Sequence, residues 1–421
     1  MIDIKSIREN PEYVATALKK RGVALDTAQL IELDDRRKVV LLQVEELRAK
    51  QNMLSEEVQA SSGEDRNQKI EEGKKLKEET RAQEEILKEL EESLKLVMTR
   101  FPNIPQDDVP EGGEDQNQVI RQVGEKPVFA FEPKDHFQLG EQLGILDVER
   151  AAKVSGSRFA YLKNDAVLLE LALIRYVMDM GIRSGFTPIS PPVLIRAEMM
   201  QKMGYVDTPE DLAERYYLEK NGLFLVGTAE QAVGPMHADE VFEEKELPRR
   251  YIAFSTCFRE EAGSYGKDTR GILRVHQFDK VELFSFCHPE KSREEHGFLL
   301  NFEEDLWRAL GIPYQVMQLA AGDMSRPAVS TIDIEAWLPG QGRYREVSSA
   351  SNTTDFQSRR LNIRMKKKDG KLEFVHMLNA TGFPIGRTLI AIMENYQQED
   401  GSITVPEILQ KFVGKSVIEK Q

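Results

Sequence analysis

Arginine and glutamate side chains at short spacings in the C-terminal two-fifths of the chain could bind a nucleotide. Arg259 and Glu261 are separated by one residue after an apolar run, so the alternation of a β-strand would place both on one face and point Glu260 away. A guanidinium can bind a phosphate through two hydrogen bonds, and a neighbouring carboxylate can accept one from an exocyclic amine. Considered alone, the pair also fits a surface ion pair on a strand.

Two later segments extend this pattern. Residues 274–282 (RVHQFDKVE) add cations and carboxylates to an apolar run, and residues 382–387 (GFPIGR) place Arg387 after a glycine-rich turn. In this order, the three segments resemble motifs 2 and 3 of the class II aminoacyl-tRNA synthetases. Residues 185–192 (GFTPISPP) follow an apolar helical stretch at 168–180 and resemble motif 1, although alone they also fit a proline-rich edge strand.

Further segments narrow the resemblance to the seryl-tRNA synthetases. They are residues 151–159 (AAKVSGSRF), 227–230 (GTAE), 262–264 (AGS), 268–271 (DTRG), 276–280 (HQFDK), 345–349 (REVSS) and 394–397 (ENYQ). The N-terminal region resembles the tRNA-binding arm of that family, so the resemblance covers essentially the whole chain. It implies an α+β fold, in which a class II catalytic domain built on an antiparallel sheet follows an N-terminal antiparallel coiled-coil arm.

The resemblance assigns site residues position by position. The ATP-binding residues that it implies are Arg259, Glu260, Glu261, Arg274, Phe278, Glu346, Val347, Ser348, Ser349 and Arg387. The serine-binding residues that it implies are Thr228, Ala229, Glu230, Arg259, Glu282 and Thr381. The catalytic residues are Arg259 and Arg387, and the Mg²⁺ ligands are Glu346 and Ser349. ATP and Mg²⁺ are therefore the expected cofactors, and no zinc is expected.

The residues assigned to ATP have distinct chemical roles in this resemblance. Arg259 would contact the α-phosphate, where charge develops, while Arg274 and Arg387 would contact the terminal phosphates. Glu261 would accept a hydrogen bond from the adenine amine. Phe278 has two open interpretations, which are a stacking face for adenine and simple packing in the core.

The two Mg²⁺ ligands that the resemblance implies are a carboxylate and a hydroxyl three residues apart. Completed by phosphate oxygens and waters, Glu346 and Ser349 suit a hard octahedral ion such as Mg²⁺. For Ser348 and Ser351 we favour a structural role. His276 is interpreted as a structural hydrogen-bonding residue rather than a base, because no acid partner is evident in the sequence.

The residues assigned to serine would form a buried polar pocket. Glu282 would bind the hydroxyl group of serine and Glu230 its ammonium group, with Thr228 and Thr381 beside them. Such a pocket rejects alanine, because its own polar groups would be left unpaired. Either glutamate alone would also fit a surface ion pair.

Three positions depart from the usual family pattern. Glu260 stands where a serine or glutamine is common, Thr381 lies in an Asn-Ala-Thr-Gly segment rather than Asn-Gly-Ser-Gly, and Pro384 lies inside the motif 3 turn. We expect Glu260 to have little effect. Thr381 should place a slightly bulkier hydroxyl-bearing side chain in the pocket, and Pro384 should stiffen the turn before the motif 3 helix.

The family resemblance implies a serine–tRNA ligase that forms seryl-adenylate from serine and ATP and then transfers the seryl group to tRNA(Ser). Whether tRNA(Sec) is also charged stays open, and a homodimer is implied. Three alternatives are a paralogue that loads a carrier protein, an inactive relative acting as a binding module, and a coiled-coil scaffold. Carrier-loading paralogues lack a long arm, whereas this chain has one. An inactive relative would have lost the ATP-site arginines and glutamates, which are present here. A coiled-coil scaffold would leave the ordered motifs unexplained.

The element that precedes these motifs is a long heptad region. Leu33, Val40, Leu47 and Leu54 are spaced by sevens, and a four-three spacing resumes from Leu76 after a polar break at 61–65. The spacing predicts two helices of roughly 30 residues each, folded back as an antiparallel hairpin. We therefore expect an N-terminal helical domain at 1–100, a Pro- and Gly-rich linker at 101–130, and a catalytic domain at 131–421.

Net charge, cysteine content and the absence of certain sequence patterns argue against several classes of protein. The net charge of −14 argues against a protein that coats nucleic acid non-specifically, although a local basic stripe could still bind tRNA. The two cysteines, Cys257 and Cys287, support neither a disulfide framework nor a zinc site. The sequence lacks a P-loop pattern, an apolar run long enough to span a membrane, and the apolar core of a signal peptide. We therefore expect a cytoplasmic protein with no membrane partner.

Overall fold

The computed structural model describes residues 1–262 and 270–420 and divides the chain into two units. A helical unit comprises Ile2–Lys19 and Val23–Pro102, and a sheet unit comprises Met1, Lys20–Gly22 and Asn103–Gln421. The predicted family segments at 263–264 and 268–269 lie outside the described residues.

The helices of the described residues are as follows. They are α1 (Ile4–Glu9), α2 (Pro11–Lys20), α3 (Thr27–Ala60), α4 (Gly63–Thr99), α5 (His136–Leu143), α6 (Val148–Ser155), α7 (Asp165–Arg183), α8 (Ala197–Met203), α9 (Pro209–Ala213), α10 (Glu230–Val233), α11 (Ser292–Leu310), α12 (Phe356–Leu361), α13 (Ile385–Asn395) and α14 (Glu407–Val413). Short 3-10 helices lie at Glu114–Gln116, Glu219–Asn221, Gly234–His237, Glu244–Glu246 and Pro289–Lys291.

The strands of the described residues all belong to the sheet unit. They are β1 (Gln118–Val123), β2 (Leu146–Asp147), β3 (Tyr161–Leu162), β4 (Thr187–Ile189), β5 (Leu194–Arg196), β6 (Tyr217–Leu218), β7 (Leu223–Leu225), β8 (Val241–Glu243), β9 (Arg249–Phe258), β10 (Gln277–Cys287), β11 (Tyr314–Gln318), β12 (Ser330–Leu338), β13 (Arg343–Thr354), β14 (Arg364–Lys366), β15 (Leu372–Phe374), β16 (His376–Pro384), β17 (Ile403–Thr404) and β18 (Val417–Ile418).

The predicted helical hairpin is confirmed in the helical unit. Helices α3 and α4 contain 34 and 37 residues, and the pairs Arg48–Glu84 and Glu57–Lys69 show that they run antiparallel. A polar layer interrupts the apolar seam, because the Gln51 side-chain amide donates to Thr80 Oγ1 at 2.9 Å. This hydrogen bond satisfies a polar residue that the heptad pattern places between the helices.

The predicted antiparallel sheet forms the centre of the sheet unit, and it has eight strands. Its strand order is β1-β11-β12-β13-β16-β10-β9-β4, and among these pairs only β4 and β9 are parallel. The motif 1 segment supplies β4 at one edge, and α13 begins directly after Pro384 in the motif 3 segment.

The segment predicted as a linker at 101–130 is partly built into the sheet. Residues 118–123 form β1, which pairs with β11 at the edge opposite β4. The Asn103 side-chain amide is buried and donates to the carbonyl groups of Pro327 and Thr353. The Pro- and Gly-rich flanks suggested a linker, whereas the short run between them contains enough β-branched residues to form an edge strand.

Alternation along the central strands separates the core from a polar face. In β16, Leu378 and Ala380 belong to the main core cluster, in which α7, α11 and α13 also take part, whereas Asn379 and Thr381 point to the other side. In β10, Leu283 lies in the core and Glu282 points away from it. The period of two along neighbouring strands therefore collects polar side chains on one face of the sheet.

Candidate active site

A cavity of about 260 Å³ lies on the polar face of the sheet. Its floor carries alternating side chains of three adjacent strands, namely Lys280 and Glu282 of β10, Ser349 and Ser351 of β13, and Asn379 and Thr381 of β16. Most of the predicted site residues line it: Thr228, Glu230, Arg259, Glu261, Arg274, Phe278, Glu282, Glu346, Val347, Ser349, Thr381 and Arg387.

Arg259 and Glu261 both face the cavity, but not through the predicted strand alternation. Strand β9 ends at Phe258, and Glu261 has a left-handed backbone with a φ of 51°. Arg259 is held in place by its Nε, which donates to the Gly227 carbonyl at 3.2 Å. A local turn after the strand, rather than the strand itself, therefore directs these two side chains.

His276 supports this turn, as its predicted structural role requires. Its Nδ1 lies 3.0 Å from the Arg259 carbonyl oxygen, and its backbone carbonyl accepts a hydrogen bond from the Arg259 N–H. The rings of Phe159 and Tyr216 pack against the imidazole. His276 therefore fixes the backbone of Arg259 and does not line the cavity.

Cations are distributed along the cavity. Arg274 donates to Glu261 Oε2 at 3.2 Å, and Arg387 donates to the Glu346 carbonyl at 2.8 Å. The Arg259 guanidinium lies 5.3 Å from the centre of the Phe278 ring, which both lines the cavity and packs against the core. An anion that entered the cavity would meet several guanidinium groups beside an aromatic face.

Two buried glutamates form a second region of the cavity. Burial and the nearby charge of Glu282 raise the pKa of Glu230 to about 8. Burial also raises the pKa of Glu282, although the ammonium group of Lys280, 2.5 Å from its Oε2, opposes this shift. These carboxyl groups could accept hydrogen bonds from a small polar ligand enclosed between them.

Three predicted site residues do not line the cavity. Ala229 is fully buried and packs in a separate core cluster beside Phe284. Glu260 accepts a hydrogen bond from Tyr216. Burial of Tyr216, together with this hydrogen bond, raises the pKa of the tyrosine. The Ser348 side chain lies on the core side of the sheet. There its Oγ accepts a hydrogen bond from Trp307 Nε1 at 3.1 Å, in agreement with a structural role.

The residues predicted to bind Mg²⁺ have the donor chemistry of a hard-cation site. Desolvation raises the pKa of Glu346, but the charges of Arg387 and Arg259 outweigh it and hold that pKa below the ordinary value. Ser349 hydrogen-bonds to Asp333, a buried carboxyl group. No group of three His, Cys, Asp or Glu side chains suited to a metal occurs in the described residues, so phosphate and water oxygens would have to complete the coordination.

Several cavity residues were missed by sequence reasoning. They are Tyr205, Arg215, Gln231, Lys280, Ser325 and Asn379, together with Ser351, for which a structural role was favoured. Lys280 could have been found, because it is two residues from Glu282 on the same strand face. Arg215 offers no such signal, since it follows the short helix α9 and is brought to Gly227 only by the fold.

Comparison with known proteins agrees with this geometry. Residues 216–396 match the tRNA synthetase class II core domain (G, H, P, S and T), and residues 1–105 match the seryl-tRNA synthetase N-terminal domain. The structure shares its fold with a Giardia lamblia prolyl-tRNA synthetase, with a TM-score of 0.57 at 17% identity. The fold and the site thus define a class II aminoacyl-tRNA synthetase.

More similar proteins identify the family within that class. The chain is 45% identical to a serine–tRNA ligase of Thermobifida fusca and 44% identical to one of Thermodesulfovibrio yellowstonii, with at least 99% of each chain covered. Its structure matches that of seryl-tRNA synthetase from Pyrococcus horikoshii complexed with ATP over all of both chains, with a TM-score of 0.92 and 39% identity. The chain belongs to the seryl-tRNA synthetase family, the serine–tRNA ligases.

Proposed function

We propose that the protein activates L-serine with ATP and transfers the seryl group to the 3′ end of tRNA(Ser). In the first step a serine carboxylate oxygen attacks the α-phosphorus of ATP, the bond to the β-phosphate oxygen breaks, and pyrophosphate leaves. In the second step a hydroxyl of the terminal tRNA ribose attacks the seryl carbonyl carbon, and AMP leaves. Neither step requires a protein nucleophile, so positioning and charge neutralisation are the main contributions of the protein.

The observation that carries this proposal is the position of Arg259 between two chemically different groups of side chains. Its charge acts on Glu230 and Glu282 in the pocket for a small polar ligand, and also on Glu346 beside Arg387. A guanidinium in that position can contact the carboxylate of serine and the α-phosphate of ATP together.

The remaining roles follow from the same arrangement. Arg274 and Arg387 contact the outer phosphates, Glu261 accepts a hydrogen bond from the adenine amine, and adenine stacks on Phe278. The Pyrococcus horikoshii relative was crystallised with ATP, which supports a nucleotide in this cavity. Glu346 and Ser349 would hold Mg²⁺, which when bound neutralises phosphate charge.

Recognition of serine depends on the buried carboxyl groups and hydroxyls. Glu282 binds the serine hydroxyl and Glu230 its ammonium group, with Thr228 and Thr381 completing the pocket. A ligand without the hydroxyl leaves these groups unpaired, which costs binding energy. Exchange of ATP with labelled pyrophosphate, measured across a panel of amino acids, tests this assignment: we expect serine to drive exchange and threonine and alanine to be weak. Exchange driven best by alanine or glycine would favour a carrier-loading paralogue instead.

We also propose that the protein acts in the cytoplasm as a homodimer. None of the helices in the described ranges is long and apolar enough to cross a bilayer. Helix α7, which packs beside the motif 1 strand β4, exposes Leu168 and Leu171 by 42% and 57%, and a second copy would cover such side chains. Light scattering checks the dimer, and aminoacylation assays with tRNA(Ser) and tRNA(Sec) transcripts show which tRNA is charged.

A further inference from the structure

Thr381 lies at a β-bulge in the floor of the cavity. The pairing of β10 with β16 shifts at this point, because Val281 pairs with Phe383 whereas Glu282 pairs with Thr381, leaving Gly382 as an extra residue. A Cβ atom on Gly382 would come within 3.0 Å of the Val281 carbonyl oxygen. The bulge is therefore tight, and a side chain at this position would require its neighbours Val281 and Val177 to shift.

Thr381 pairs with Glu282 of β10 but lies beyond the ladder that joins β16 to β13 on its other side. The ladder between β13 and β16 begins at Ala380, one residue earlier. The Thr381 N–H instead donates to Glu303 Oε1 at 2.7 Å, across 78 residues of sequence. A buried backbone donor without an acceptor would cost free energy, so the Glu303 side chain satisfies a donor that the β13–β16 ladder does not use.

Glu303 reaches the bulge from the core side of the sheet. It belongs to α11 and is fully buried, and Trp307, one turn later on the same helix, packs its ring edge-on against Phe383. The same helix therefore contacts β16 on both sides of Gly382, through a hydrogen bond at Thr381 and an aromatic contact at Phe383.

The environment of the Glu303 carboxyl group disfavours its charged form. Burial raises the pKa of Glu303 well above its ordinary value, and the carboxyl groups of Asp333 and Glu282 act in the same direction. Its Oε2 has no hydrogen-bond partner among the described residues. A neutral acceptor of the same shape, such as a glutamine side chain, should therefore be able to replace it.

We propose that Glu303 is a positioning residue for serine recognition. By accepting the hydrogen bond of the bulged Thr381 N–H, it holds the Thr381 side chain in the floor of the serine pocket, without touching the substrate itself. This inference rests on the proposed function, because it assumes that the pocket beside Glu282 and Thr381 receives serine.

The test compares three substitutions of Glu303 in the full-length protein by pyrophosphate exchange. Glu303→Gln keeps an acceptor at the same place, Glu303→Asp withdraws the carboxyl by one methylene, and Glu303→Leu removes the acceptor. We expect the KM for serine to rise about tenfold or more in the Asp and Leu variants and to stay near the parent value in the Gln variant, with the KM for ATP little changed throughout.

Glu304→Leu is the matched control, since it removes a neighbouring buried carboxyl from the same helix. Glu304 accepts hydrogen bonds from Tyr314 and Arg121 and does not line the cavity. This control should lower the unfolding temperature while leaving both KM values unchanged. If Glu303→Leu does not fold, the contrast between the Asp and Gln variants still decides the question.

Two results would overturn the role of Glu303. One is an unchanged KM for serine in an active, folded Asp or Leu variant, and the other is a Gln variant as impaired toward serine as the Leu variant. A parent protein that shows no serine-dependent exchange contradicts the proposed function itself, and this inference falls with it. Protection of the 376–384 peptide against hydrogen exchange provides a second measurement, and we expect it to fall in the Asp variant but not in the Gln variant.

Discussion

At the scale of single residues, the site depends on a cation that is held in place before any substrate binds. Arg259 is anchored through its Nε to the Gly227 carbonyl and through its backbone to His276. A preorganised donor is more effective at a developing negative charge than one that must be ordered during the reaction.

Arg259→Ala should therefore nearly abolish serine-dependent pyrophosphate exchange. Loss of one such donor at the reacting phosphate typically lowers the rate by about 10²–10³. Arg249→Ala is the control, because Arg249 begins the same strand and pairs with Glu246 on the surface. An Arg259→Ala enzyme within a few-fold of the parent would show that this side chain does not contact the reacting group.

Glu230 makes the stability of the ligand-free protein depend on pH. Burial, followed by the charge of Glu282, raises its pKa from 4.5 to about 8, so the folded protein holds a proton that the unfolded chain releases within that range. Because the folded state binds more protons there, the contribution of Glu230 to stability is present below pH 4.5 and is lost as the pH rises toward about 8.

Glu230→Gln removes this titration. We expect the free energy of unfolding of the variant, relative to the parent, to increase steadily between pH 4.5 and about 8. Urea unfolding of both proteins without substrates, at several pH values, measures the difference. A constant offset between the two curves across this range would mean that Glu230 is already ionised in the folded protein.

At the scale of elements, the helical unit contains a buried carboxylate that joins two of its helices. Asp34 of α3 is fully buried and accepts hydrogen bonds from Arg8 of α1 at 3.1 Å and from Arg37 at 2.9 and 3.1 Å. Lys38 lies 2.9 Å from the same carboxylate. Asp34 and the three cations around it thus form a polar network that is satisfied internally.

Asp34→Asn should destabilise this unit by about 1–3 kcal/mol, because the cations around it would lose a charged acceptor. Asp35→Asn is the matched control, since Asp35 is half-exposed and makes a single contact with Arg8. The measurement is thermal unfolding followed by circular dichroism. Equal effects of the two substitutions would argue against a special role for the buried carboxylate.

At the scale of the whole molecule, amino-acid activation and tRNA charging should be separable. Every residue that lines the cavity lies between Tyr205 and Arg387, within the sheet unit. The longer arm helix has 37 residues, which corresponds to a length of roughly 55 Å. Such an arm suits the long variable arm of a serine tRNA, recognised by shape and backbone contacts.

We therefore expect deletion of residues 31–100, closed by a short Gly/Ser link, to leave serine-dependent pyrophosphate exchange largely intact and to abolish transfer to tRNA. Exchange in the same preparation serves as the control for folding. In the parent protein, tRNA binding should weaken with salt, because lysine and arginine side chains of the arm would contact phosphates. Near-parent charging by the truncated protein would show that the arm does not bind tRNA.

Features that depend on local pattern were determined by the sequence itself. The heptad spacing of α3 and α4 predicted the hairpin because neighbours along a helix recur every three or four residues, whatever the rest of the chain does. The ordered arginine and glutamate segments resembled those of a known family, and that resemblance identified most of the residues that line the cavity.

Other features were decided only by the tertiary structure, because they join residues that are far apart in sequence. The conformation of Glu261 depends on a turn that is supported by His276, the residue directly before β10. Residues 118–123 form a strand by pairing with β11, which lies almost 200 residues later. Glu303, one of several acidic residues on an ordinary amphipathic helix, acquires its contact with Thr381 from the bulge 78 residues later. No spacing rule covers such contacts, since they depend on which backbone groups the completed sheet leaves unpaired.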